Sequence, residues 1–94
     1  MENQTQQRSN VSGEVEFPTL VLMLSTAAMV HLGVAPDPVS GEAKADLAQA
    51  KEMIDLLNVV KVKTAGNLTA AESGMLDDLL FDLRMRYLEA VKRT

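Results

Sequence analysis

The chain has no cysteine and no tryptophan, and its aromatic side chains are confined to Phe17, Phe81 and Tyr87. Without thiols it forms no disulfide and carries no thiol nucleophile or thiolate ligand. With so few aromatics, any core must be built from Leu, Val, Ile, Ala and Met, a palette that suits helices better than strands. An excess of positive charge is missing as well. Nine Lys and Arg stand against 13 Asp and Glu, a formal net charge of −4. A nucleic-acid binder needs a concentrated basic surface, so that class of partner is not expected. His31 is the single histidine, which excludes zinc sites of the usual make-up and the paired Glu-x-x-His of di-iron bundles.

Charge itself is absent from a long stretch. Between Phe17 and Pro36 there is no Asp, Glu, Lys or Arg. Pro18 suits the opening turn of a helix, where its missing N–H is not needed, and Gly33 suits a left-handed stop. The helix predicted between them, residues 18–32, is apolar nearly all round and must therefore be surrounded. At 1.5 Å per residue it spans about 22 Å, short of a roughly 30 Å hydrocarbon core. Its flanks carry no Lys/Arg cluster to fix a membrane orientation. Burial in protein is the expectation, with membrane insertion the weaker alternative. The small residues Ser25, Thr26, Ala27 and Ala28 would let another helix approach closely. Leu20, Met23, Leu24, Ala27 and Ala28 are accordingly the candidate contacts to a second copy.

What is present divides the chain further. Residues 1–16 are polar, with Val11 and Val15 the only large apolar groups after Met1, and are expected to be a disordered tail. With one Arg outnumbered by three glutamates, the segment does not resemble a secretory signal, so the Asn-x-Ser/Thr triplets at Asn3, Asn10 and Asn67 are chance matches. One all-α domain is expected over residues 17–94. A linker rich in Pro and Gly leads to a second helix predicted over 43–64. There Leu47, Ala50, Ile54 and Leu57 form a stripe that Met53, Leu56 and Val60 widen. A third helix is predicted over 70–92, with Leu76, Leu79, Leu80, Leu83, Tyr87 and Val91 on one face and Asp78, Asp82, Arg86 and Glu89 on the other.

Between these two helices lies KTAGNLTAAE, where a lysine, two threonines, a glycine, an asparagine and a glutamate crowd together. Lys61 and Lys63 sit where positive charge offsets unpaired helix carbonyls. Gly66 stands where a left-handed residue would end the helix. Thr69 and Glu72 have the spacing of a capping box. Lys63, Gly66, Asn67, Thr69 and Glu72 thus read as a structural joint, too short for anything but an antiparallel helical hairpin. Neither the Lys-Thr-Gly of penicillin-binding enzymes with its Ser-x-x-Lys nor a phosphate-binding Gly-rich loop is present.

The run from LAQAKEMIDLL through KTAGNLTAAE to LLFDLRMRYL resembles a bacterial family, domain of unknown function 1844. The upstream HLG and the charge-free first helix resemble it too, and GNLTxxE is the most specific part. The resemblance implies a small cytoplasmic helical protein and brings no established activity, so no catalytic residue is carried over.

No catalytic, cofactor-binding or metal-binding residue is assigned. His31 is read as a helix-end or packed side chain. Asp77, Asp78 and Asp82 lack the Gly-turn of a cation loop and are read as a solvated face. Met23, Met29, Met53 and Met75 are read as core filling, with a Met- and Leu-lined ligand cavity as the alternative. The expectation is a non-enzymatic interaction or assembly module, a dimer or higher homo-oligomer, possessing an unidentified protein partner at most and no cofactor.

Overall fold

A computed structural model describes residues 15–94. Among them there are three helices and no strand: α1 (Phe17–His31), α2 (Leu47–Lys63) and α3 (Ala70–Arg93). The expected disordered tail lies, over residues 1–14, outside the described residues, as do the triplets at Asn3 and Asn10.

Helix α1 starts with Pro18 in its first turn. It ends in a full left-handed stop. The Gly33 N–H donates to Val30 O at 3.0 Å and the Val34 N–H to Met29 O at 3.2 Å, with Gly33 at φ +81°. Both bonds use carbonyls that the end of the helix would otherwise leave unpaired. Helix α2 begins four residues later than the periodicity suggests. Asp46 is extended, and its carboxylate accepts from the Gln49 N–H at 3.2 Å. Its own N–H donates to His31 O at 2.7 Å. Ala43–Ala45 therefore lie outside the helix despite their favourable propensity, because the Asp46 amide is committed to the end of α1.

Helix α1 packs against both α2 and α3, and α2 packs against α3. The core is drawn from all three: Val21, Ala28 and Leu32 around α1, Ala50, Ile54 and Leu57 from α2, and Leu76, Leu80, Leu83 and Ala90 from α3. Burying large aliphatic side chains of this kind stabilises by about 1.5–3 kcal/mol each. Ser25 is buried with them and satisfies its hydroxyl within the helix, donating to Leu22 O at 3.0 Å. Two members of the expected stripes are exposed rather than buried in this core or packed against it. Leu56 is 45% exposed and Val91 is 43% exposed, because the stripe centred on Ala50, Ile54 and Leu57 leaves Leu56 about 120° away around the axis at 100° per residue. Ala90 takes a buried place that the periodicity did not assign.

Candidate functional site

The segment after α2 is closed by its own atoms. The Thr64 hydroxyl donates to Val60 O at 2.7 Å, and the Thr64 N–H reaches the same carbonyl at 2.9 Å. The Asn67 N–H donates to Thr64 O at 2.9 Å, closing a four-residue turn with Gly66 at its third position and φ +88°. Gly66 is left-handed, but it serves this turn rather than standing directly at the helix end. Positive φ at that position is what such turns require of Gly. The Glu72 N–H then donates to Thr69 Oγ1 at 3.1 Å, and Glu72 Oε1 accepts from the Thr69 N–H at 2.9 Å. Lys63 and Asn67 are exposed. Sequence reasoning missed Thr64, whose hydroxyl helps to end α2; a threonine one residue past the last lysine was the available signal.

The two sides of α1 differ sharply. Val21, Ser25, Ala28 and Leu32, spaced 4-3-4, face the other two helices and are buried. Ala28 is 0% exposed, so it is removed from the candidate contacts to a second copy: the small-residue cluster admits helices of the same chain. Leu24 is partly buried against the core as well. The outward side carries Thr19, Leu20, Leu22, Met23 and Thr26, all exposed, with Ala27 and Val30 half-buried. No charge lies on it. Met23 is 66% exposed and Leu22 57%.

Beside this face sits the connection to α2, folded on itself over Asp37–Glu42. The Asp37 carboxylate accepts from the Val39 N–H at 2.7 Å and the Ser40 N–H at 3.3 Å. The Gly41 N–H donates to Asp37 O at 2.7 Å, and the Asp37 N–H to Glu42 O at 2.9 Å. Between the outward face and the base of this loop runs a groove of about 540 Å³, lined by Leu22, Met23, Thr26, Ala27, Val30, His31, Asp37 and Pro38.

A second, smaller groove of about 290 Å³ lies between α2 and α3 over Ile54, Tyr87 and Leu88, with Lys51, Asp55 and Arg84 around it. Lys51 Nζ is 2.8 Å from Asp55 Oδ2, and this bond, with the attraction of the same carboxylate, raises the Lys51 pKa. Arg84 Nη2 donates to Asn58 Oδ1 at 2.9 Å, and Lys61 Nζ meets Asp77 Oδ1 at 2.9 Å. Asp82 pairs with Arg86 at 2.9 Å. Phe81, Met85 and Leu88 form an exposed stripe on α3, legible in their 4-3 spacing but hidden by the stronger leucine stripe. Among the described residues, no three His, Asp or Glu side chains converge to hold a metal ion, and no helix is long and apolar enough to cross a membrane.

The family model described as a domain of unknown function, DUF1844, matches residues 14–89. The chain belongs to the DUF1844 family. The match spans all of α1 and α2 and most of α3, so the outward face of α1, the folded loop and the joint are all inside the family domain. No curated protein and no solved structure matches the chain.

Proposed function

We propose that the chain is a non-enzymatic helical assembly module that works as a homo-oligomer of at least two copies through the outward face of α1. The observation that carries the reading is that face: charge-free from Thr19 to Val30 and exposed at Leu20, Leu22 and Met23, although α2 and α3 already cover the opposite side. The intrachain core is too small to hide what remains. Ten apolar side chains are buried, whereas thirteen large ones are exposed among the described residues. Monomers rarely leave a large contiguous apolar patch in water, and a second copy is the cover always at hand. Hiding about 400 Å² at about 25 cal/mol per Å² contributes on the order of 10 kcal/mol before the costs of association.

In this reading α2 and α3 form an antiparallel hairpin that acts as the support. The pairing of Lys61 with Asp77 and of Asn58 with Arg84, on either side of the short joint, favours that arrangement. A bacterial cytoplasm is the setting the family resemblance implies. Light scattering at micromolar concentration is the test. The wild type should scatter as a dimer or larger, and Met23→Asp should scatter as a folded monomer with unchanged helical circular dichroism. A wild type that stays monomeric would overturn the reading.

A further inference from the structure

The loop over Asp37–Glu42 presents one apolar side chain in an unusual way. Val39 is 95% exposed, the most exposed large apolar residue described. Its position is set from within the loop: the Asp37 carboxylate holds the Val39 and Ser40 amides, and Asp37 and Gly41 close the turn beneath them. The chain's own groove begins at the base of the same loop, at Asp37 and Pro38, and runs along Leu22, Met23 and Thr26. A preformed apolar knob thus stands next to a preformed apolar groove that it does not fill.

We propose that two copies pair about a two-fold axis beside α1, each inserting Val39 into the other's groove. This rests on the assembly reading above and adds to it the contact that closes the dimer. A two-fold axis makes knob and groove neighbours twice over, since the contact each copy gives is the contact it receives. Area argues for the loop's participation. A stable interface takes about 800 Å² from each partner, with about 60% of it apolar, or roughly 500 Å². Leu20, Leu22 and Met23, at 42%, 57% and 66% exposure, are three partly exposed side chains and cannot supply that area alone. Val39 and Val34, at 95% and 46%, add the apolar surface of the connecting segment. Charge is compatible as well: Val39 is flanked by Pro38 and Ser40, and Asp37 is the only acidic residue lining the groove.

The test uses the full chain in sedimentation equilibrium. Val39→Asp should weaken dimerisation by at least about tenfold while leaving the far-ultraviolet spectrum and the melt of the dilute protein unchanged, because the side chain touches no core. Val39→Leu should retain the dimer. The absence of native cysteine permits a second measurement, in which Val39→Cys and Met23→Cys proteins are mixed and oxidised. A disulfide joining one variant to the other is expected. A Val39→Asp protein that dimerises like the wild type, while Met23→Asp does not, would overturn the knob and leave assembly through α1 standing. Mixtures that cross-link only like with like would overturn it too. A wild type that never dimerises would remove both.

Discussion

The two connections in this chain solve the same problem by different means. Between α2 and α3, every helix-end contact comes from the segment's own residues: Thr64 onto Val60, Asn67 onto Thr64, and Thr69 and Glu72 onto each other. Between α1 and α2, local bonds at Gly33, Val34, Asp37 and Asp46 are joined by one to a distant helix end. The Asp46 N–H is satisfied by His31 O, and the backbone at Ala45 comes close against Gly33. The first connection would hold its shape on any pair of helices, whereas the second depends on α1 being where it is. A turn built on local bonds is a robust hinge pin; a connection built on a remote carbonyl reports on the packing of the whole domain.

The two left-handed glycines offer the sharpest way to break this contrast. Gly33 and Gly66 have nearly the same φ, +81° and +88°, so the strain of adding a Cβ is common to both, about 1–2 kcal/mol. At Gly33 the new atom would also lie 3.2 Å from the Ala45 Cβ and 3.3 Å from its backbone N, while at Gly66 nothing lies within 4 Å. Gly33→Ala should therefore cost about 2–4 kcal/mol and lower the melting temperature by about 10 °C or more. Gly66→Ala should cost about 1–2 kcal/mol, near 4–8 °C per kcal/mol. Equal losses in a thermal melt would show that Ala45 yields freely and that the two connections differ less than their bonds suggest.

Thr69→Ala comes next, at about 1 kcal/mol, because the Glu72 N–H loses its acceptor at an exposed helix start. A urea titration should show a lowered midpoint with an unchanged slope. A change in slope would mean that the joint holds more of the fold together than its own few bonds. The smallest effect is expected for Asp77→Asn, which removes the carboxylate from Lys61 beside the joint. Both partners are about half exposed, 47% and 52%, so the loss should stay below about 0.5 kcal/mol and vanish in high salt.

The same contrast governs how much of the molecule could be read from its residues. The capping box at Thr69 and Glu72 and the left-handed Gly66 were legible because their partners lie within a few positions. The three helices were legible from periodicity and from Pro18 and Gly33. The start of α2 was not, since Ala43, Lys44 and Ala45 favour a helix, while the bond from Asp46 to His31 O and the Asp46 cap keep them out of it. Ala28 was misplaced for a related reason. Small residues announce a close helix contact but do not say whether the other helix belongs to the same chain. The outward face of α1 was half visible: Leu20, Met23 and Ala27 were picked out, while the groove beside them depends on where the Asp37–Glu42 loop comes to rest.

That loop has a consequence for time as well as shape. Surface turns ordinarily trade their amide hydrogens with water almost freely, since nothing holds them in place. Here the amides of Val39 and Gly41 are both engaged, one by the Asp37 carboxylate at 2.7 Å and one by the Asp37 carbonyl at 2.7 Å. In deuterated water these two protons should outlast those of Ala43 and Lys44 by a margin set by the opening of the turn alone. The clock would run at the same rate in a chain whose α2 and α3 had been loosened, making this small ring of six residues the part of the surface that unfolds on its own schedule.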